Sequence, residues 1–194
     1  MQTLSATTEL DAVNIMLSTI GESPVSSLAA DQSTVDVSLA RQILREHTIS
    51  VQTPGFQFNT EVNWSMTPTV DGFILIPANC VQIDSSGNDI QLDVAMRGGR
   101  LYNRTDHTFV FAKAVCVDMI LLLDFDDLPQ AAKHYIAIRS ARVFQKRMVG
   151  SEALDGFTKE DEARARSSLK KLDSNNADYN ILTGNWSVAR VLAR

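Results

Sequence analysis

Apolar residues near the start of the chain recur with the period of a helix. They stand three or four positions apart, at Leu10, Val13, Leu17 and Ile20. Thr8 and Asp11 have the Ser/Thr-x-x-Asp/Glu spacing of a capping box, which stabilises a helix start by about 1 kcal/mol. Gly21 follows the last apolar position and is typical of a helix C-terminus. The pattern therefore predicts a helix between Thr8 and Gly21.

A second helix is predicted to begin near Ser33 or Thr34. Its apolar residues on one face are Val35, Leu39 and Ile43. The pair Pro54-Gly55 cannot continue a helix, so this one must end before it. Residues 1–55 are therefore expected to supply the N-terminal helices of a helical domain.

The apolar period then falls to two, which is the pattern of half-buried strands. In the first alternating run the inward set is Phe56, Phe58, Thr60, Val62 and Trp64. A second run, Ile90 to Met96, leads into Gly98-Gly99 and then Leu101 and Tyr102, which predicts a β-hairpin.

Three further segments in this region are apolar enough to form strands. They are Phe73 to Ile76, Thr108 to Phe111 and Val115 to Leu123. The last is the most apolar, so we expect it in the centre of a sheet. Residues 56–124 are thus predicted to form a mostly antiparallel β unit.

Helical spacing returns at Pro129, with Asp127 as a candidate cap and Gly150 as the end. One side of this third helix is apolar, with Ala137, Ala141, Phe144 and Met148. The other side of this predicted helix, residues 129–150 and named α3, carries what we call the α3 stripe: Tyr135, Arg139, Arg142 and Lys146.

Thr158 and Asp161 repeat the capping pattern and predict a charged fourth helix from Lys159 to about Leu172. Residues 125–178 are accordingly the C-terminal helices of the helical domain, and residues 179–194, with Trp186, form a C-terminal tail. The predicted class is α+β, a helical bundle made from both ends of the chain with an inserted, mostly antiparallel β unit.

Composition excludes several classes of protein. In 194 residues, 44% are hydrophobic and 21% charged, which argues against intrinsic disorder. The longest apolar run, Met119 to Leu123, is too short to cross a bilayer, and the first residues lack the basic and apolar blocks of a secretory signal. We therefore expect no association with a membrane.

Charge is distributed unevenly along the chain. Residues 1–96 carry 2 basic and 11 acidic groups, whereas residues 97–194 carry 16 basic and 12 acidic ones. The net charge of −5 argues against nucleic-acid binding by the protein as a whole. The asymmetry suits head-to-tail packing of identical copies or docking to a charged partner, and it also fits an uneven solvated surface.

No catalytic or cofactor motif is present. His47, His107 and His134 fall in separate segments without zinc-type spacing, and no nucleophile elbow or phosphate loop occurs. Cys80 and Cys116 lack a Cys-x-x-Cys partner, so each is expected to be a small, buried, apolar residue. We predict no catalytic residue, metal or cofactor.

Two charged groups leave alternatives open. The acidic cluster Asp124, Asp126 and Asp127 offers carboxylates for metal or acid–base chemistry, but acids before Pro129 also cap a helix. The α3 stripe fits a solvated face, an interface with acidic surfaces of another copy, or a phosphate contact.

Short segments in a fixed order resemble the tail tubular protein A family, the adaptor (gatekeeper) ring proteins of short-tailed, podovirus-type bacteriophages. They are Ala12-Val13-Asn14, Ile20-Gly21-Glu22, Pro24-Val25, Phe56-x-Phe58-Asn59, Asp124 to Pro129, Ala141-Arg142-x-Phe144, Asp161 to Arg164 and Asp178-Tyr179-Asn180-x-Leu182. Residues 65–114 match loosely, and Pro54-Gly55 departs from the Arg-Gly expected before the aromatic residue.

The resemblance implies a structural virion protein of the tail, assembled in the host cytoplasm as a ring of twelve copies. Such a ring joins the portal to the tail nozzle, holds the tail fibres and lets DNA pass through its lumen without specific binding. We expect the acidic N-terminal half and the α3 stripe to contribute to contacts between copies. The tail around Trp186 is expected to dock on the portal, and the pore wall to be acidic or neutral.

Two other functions remain open from the sequence. One is a tail-associated polysaccharide or cell-wall hydrolase, in which Asp124, Asp126 or Asp127 would be required for glycan cleavage. The other is a head-completion connector, which would bind the portal without carrying fibres.

Overall fold

The computed structural model describes residues 6–29, 34–150 and 152–176. Its helices are α1 (Glu9–Ser18), α2 (Val35–Gln52), α3 (Gln130–Met148) and α4 (Glu152–Asn176). Its strands are β1 (Thr60–Met66), β2 (Cys80–Ser85), β3 (Val94–Arg97), β4 (Arg100–Asn103) and β5 (Val115–Leu121). All five strands lie between α2 and α3, so the predicted α+β class is confirmed.

The first helix begins and ends as predicted. The Thr8 hydroxyl accepts a hydrogen bond from the Asp11 N–H, and the Asp11 carboxylate accepts one from the Thr8 N–H. These hydrogen bonds with Thr8 lower the pKa of Asp11. At the other end, the Glu22 N–H donates to the Leu17 carbonyl across Gly21, closing a Schellman-type turn.

The second helix lies where it was expected, but its buried face is different. Thr34 caps it, with its hydroxyl accepting from the Val37 N–H, and it ends before Pro54. Val35, predicted on the inner face, is 83% exposed, whereas Val37 is buried beside Ile43. Val35 is the first helical residue, and the buried positions of α2 begin two residues later, at Val37.

Three strands form an antiparallel sheet in the order β1-β5-β2. The prediction of a central β5 is confirmed, and its Val115 and Val117 are buried. A bulge between Glu61 and Trp64 interrupts the pairing of β1, and at this point the Asn63 N–H donates to the Asp118 carboxylate over 2.7 Å.

The predicted start of the first strand at Phe56 is wrong. Residues 56–59 form a turn in which the Asn59 side-chain oxygen accepts from the Phe56 N–H. The rings of Phe56 and Phe58 stack at 5.3 Å and pack against the helical core. The strand therefore begins only at Thr60, because the two aromatic residues belong to the other layer.

The hairpin is confirmed at Gly98-Gly99, which joins β3 to β4 with positive φ at both positions, as a two-residue hairpin turn requires. The predicted strand from Ile90 is shorter: β3 begins at Val94, and Ile90 is 66% exposed beside a 3-10 turn. Segments 73–76 and 108–111 make isolated bridges only.

The last two helices close the helical layer. Helix α3 begins directly after Pro129, and Asp127 makes no capping hydrogen bond to it because Leu128 and Pro129 are extended between them. Helix α4 begins at Glu152, so Thr158 lies inside the helix and the predicted start at Lys159 is wrong. The tail with Trp186 lies outside the described residues.

The molecule has two hydrophobic cores. The helical core gathers buried residues of all four helices, with Phe144 and Ile43 fully buried. The β core lies between the three-stranded sheet and the hairpin, with Val117 and Leu101 at its centre. The cores are separate clusters of buried residues.

Two buried amide side chains connect the helical layer to the β unit, and we call them the amide clasp: Gln52 and Asn59. The Gln52 side chain accepts from the Leu123 N–H and donates to the Leu123 carbonyl, at 2.9 and 3.0 Å. The Asn59 side chain donates to the carbonyls of Gln52 and Leu121. Both residues are at most 3% exposed, so each buried amide group finds its hydrogen-bond partners in the backbone of the two layers.

Candidate functional site

The α3 stripe is not an exposed face. Tyr135 is buried, and its hydroxyl oxygen accepts a hydrogen bond from Arg139. Arg139 and Arg142 are half-buried, and only Lys146 is exposed among the four. The cause is that α3 packs against three helices, α1, α2 and α4, and so has no wide solvent-facing side.

Two basic residues of α3 instead form ion pairs between helices. Arg142 binds Glu162 of α4 at 2.8 Å, with both side chains mostly buried, and Arg147 lies 3.6 Å from Glu46 of α2. Removing one member of a mostly buried ion pair lowers the stability of the fold, because the remaining charge is left without a partner. Arg142 is therefore part of the fold of the monomer.

The acidic cluster before α3 also has a structural role, although not the predicted one. The Asp126 carboxylate accepts from the Glu9 N–H over 3.1 Å, so it caps the first turn of α1 rather than α3. The Lys133 ammonium donates to the Asp126 carbonyl at 2.7 Å. The cluster thus ties the two ends of the helical layer together.

An open groove of about 720 Å³ lies beside this cluster, between α2 and the segment that follows β5. Its lining includes Glu9, Arg41 and Asp124, but no histidine or cysteine. Glu9 is paired with Arg41 at 3.1 Å. The groove offers charged pairs and main-chain groups, without a nucleophile next to a base.

The three histidines occupy unrelated environments. His47 is half-buried between helices, His134 is exposed on α3, and the His107 ring nitrogen lies 3.4 Å from the Tyr102 hydroxyl in the β unit. Burial lowers the pKa of His47, and the positive charge of Arg139 lowers it further. Across the described ranges, no three His, Cys, Asp or Glu residues are grouped so as to hold a metal ion.

The two cysteines are free and belong to the β unit. Cys80 is buried, and its thiol donates to the Gln82 carbonyl. Burial raises the pKa of the Cys80 thiol, which keeps it protonated and unreactive. Cys116, by contrast, is only half-buried on β5.

Sequence reasoning missed two exposed surfaces of the β unit. Strand β1 is an edge strand, and Val62 and Trp64 are 68% and 53% exposed although their alternation predicted burial. Arg97 and Arg100 flank the hairpin turn and lie over aromatic rings. The signal for the second surface was in the sequence, as two arginines on either side of Gly98-Gly99.

The described part of the chain thus combines exposed surfaces with a helical layer held by its hydrophobic core and by an ion pair, which is typical of structural assembly proteins. No described helix combines the length and the apolar content that spanning a bilayer requires. Comparison with known proteins then identifies the family.

The profile of the tail tubular protein family matches residues 10–179. The tail tubular protein A of Klebsiella phage KP34 is 34% identical over 155 residues, which cover 79% of this chain and 81% of that protein. The chain therefore belongs to the tail tubular protein family. It is a structural component of a bacteriophage tail, located in the virion, and not an enzyme.

Proposed function

We propose that the protein forms the adaptor ring of a short-tailed phage, between the portal and the tail nozzle. The observation that supports this most strongly is the family match over nearly the whole chain, together with 34% identity to a tail tubular protein A. The ring consists of twelve copies, carries the tail fibres and conducts the DNA during ejection.

A closed ring requires heterologous contacts, in which two different surfaces of each copy meet. The chain offers charges of both signs for such contacts, with a net charge of −9 over residues 1–96 and of +4 over residues 97–194. Of the α3 stripe, Lys146 is the member whose exposure suits a contact with the next copy. Arg139, Tyr135 and Arg142 would support that contact from beneath.

DNA must slide through the lumen without being retained. Each phosphate that a protein neutralises adds affinity through counterion release, so a basic wall would hold the genome. We propose that the pore wall is acidic or neutral, in keeping with the overall charge of −5.

The mass of the purified chain, alone and after mixing with its portal, tests the adaptor function. We expect a complex with twelve copies per portal by light scattering, and a ring by electron microscopy. This complex should capture the nozzle protein, which a head-completion connector would not need to do. A chain that binds neither the portal nor the nozzle protein contradicts the proposal.

The same experiment tests the role of the C-terminal tail. Removing residues 180–194, which include Trp186, should abolish portal binding. A matched control keeps these residues in scrambled order, so that length and composition are unchanged. Undiminished portal binding by the truncated chain would show that the tail is not the docking element.

A further inference from the structure

One face of the hairpin presents two arginines to solvent. Arg97 and Arg100 are paired across the turn, so their side chains lie on the same face. Leu75, which is bridged to Arg100, shares this face and is 59% exposed. A Cβ atom on Gly98 or Gly99 would meet nothing within 4 Å, so the turn itself projects into open space.

The two guanidinium groups are held in place by aromatic rings. Arg97 lies 4.0 Å from the centre of the Tyr102 ring, and Arg100 lies 4.6 Å from that of Phe73. Stacking restrains a guanidinium while leaving its N–H edge open to an acceptor. Neither arginine has a carboxylate partner among the residues that the structure describes. Both can therefore bind an acidic surface of another molecule.

The opposite kind of surface lies on strand β1. Glu61 and Trp64 pair with Met119 and Val117 of β5, and the bulge between them puts both side chains on the same face of the sheet. Both are exposed, and Glu61 forms no ion pair within the described ranges. An exposed edge strand that carries an aromatic side chain is a surface that proteins normally cover.

The two surfaces lie toward opposite edges of the β unit. The hairpin contacts the sheet through β2, and β5 separates β2 from β1. Their charges are also opposite: β1 carries Glu61 and no basic residue, whereas the hairpin carries Arg97 and Arg100 and no acidic residue. Complementary surfaces toward opposite edges of one copy are placed to meet between copies, and such contacts continue from each copy to the next.

We infer that the hairpin face of one copy packs against β1 of the next, with Arg97 and Arg100 meeting Glu61 and Trp64. This inference rests on the proposed ring, because it names the surfaces that join neighbouring copies. Arginine and tryptophan are the residue types that contribute most at the centres of interfaces, and a stacked arginine binds a carboxylate with little loss of side-chain freedom.

This contact is tested in the full-length chain by reversing the charges on each surface separately and then on both surfaces together. The double variant Arg97→Glu/Arg100→Glu, and separately Glu61→Arg, should each raise the concentration for half-assembly by about tenfold or more. Combining the three substitutions should restore most of the assembly, because the charges are complementary again. Assembly is followed by light scattering, alone and on the portal, and thermal melting confirms that each variant is folded.

Matched variants distinguish this contact from a general effect of charge. The exposed Lys159 and Lys171 of α4 are changed to Glu as a control with the same change in net charge, and this variant should assemble like the wild type. Duplex DNA serves as a second probe. A hairpin variant that loses affinity for DNA but assembles normally overturns the inference. It would show that Arg97 and Arg100 bind DNA phosphates instead.

The outcomes also separate this inference from the proposed function. If the wild type forms rings on the portal while the hairpin and β1 variants assemble equally well, the contact is wrong and the adaptor function stands. A wild-type chain that forms no assembly with portal and nozzle overturns both. Restored assembly in the exchanged variant supports the contact, since a purely structural role of the arginines would not be repaired at Glu61.

Discussion

At the residue scale, His47 shows how helix packing controls a single titratable group. Both ring nitrogens are buried and lack hydrogen-bond partners among the described residues. Its charged neighbours are Arg139 and Arg147 of α3, Glu162 of α4 and Glu46 of its own helix. Burial and the nearby arginines lower the pKa of His47, so the folded chain favours the neutral ring.

The stability of the protein should therefore fall as the solution becomes more acidic. The unfolded chain takes up a proton on His47 near its usual pKa of about 6.5, whereas the folded chain takes it up only at lower pH. The loss of stability begins as the pH falls through the unfolded value and ends below the folded one. In His47→Asn this part of the pH dependence should disappear, as measured by thermal melting between about pH 8 and pH 5.

The exposed His134 provides the control for this prediction. His134→Asn removes a histidine of the same type from α3, where it is open to solvent. It should leave the acid-induced fall in melting temperature as it is in the wild type. An identical fall in the His47 variant would show that other groups cause it.

Elements that depend on local signals were predictable from the sequence. The cap at Thr8, the end at Gly21 and the turn at Gly98-Gly99 each involve a few neighbouring residues, and each has a clear signature. The predicted start of the first strand was wrong because Phe56 and Phe58 pack against the helical core. The alternation of apolar and polar residues does not show which core an apolar residue joins. In the same way, Asp126 caps a helix 117 positions away in the chain.

The amide clasp is an element-scale feature whose energetic contribution is measurable. Replacing Gln52 by Ala removes the partners of the partly buried Leu123 N–H and carbonyl, and an unsatisfied buried group costs about 1–3 kcal/mol. We expect Gln52→Ala to lower the free energy of unfolding by about 2–4 kcal/mol in urea denaturation.

The same helix offers a matched control. The Gln42 side chain of α2 is exposed, and among the described residues it hydrogen-bonds to Glu46 alone, so Gln42→Ala should cost less than about 0.5 kcal/mol. Equal effects of the two substitutions would mean that the buried hydrogen bonds at Gln52 contribute nothing beyond helix propensity.

At the scale of the whole molecule, contacts between copies can involve only those charged residues that are exposed and not paired within the monomer. The sequence alone placed four α3 residues on one exposed side, but the burial of Tyr135 and the pairing of Arg142 depend on where α1, α2 and α4 pack. The candidate interface could therefore be predicted as a charge asymmetry but not as a set of contacting residues. Lys146 is the member of the stripe that remains accessible.

Reversing the charge of Arg142 should affect stability, whereas reversing that of Lys146 should affect assembly. Arg142→Glu places a second carboxylate against Glu162 in a mostly buried site, and we expect a loss of about 3–5 kcal/mol in the free energy of unfolding. Lys146→Glu should leave the melting temperature within about 2 °C and weaken assembly on the portal. Melting curves and light scattering measure the two effects separately, and normal assembly of Lys146→Glu would exclude the stripe as a contact.

The separation of the two cores has a consequence for how such a tail protein diverges. Because the helical and β cores are distinct clusters joined through a few main-chain groups, a volume change in one does not demand compensation in the other. Substitutions inside the β core can then accumulate while the side chains of the helical core stay as they are.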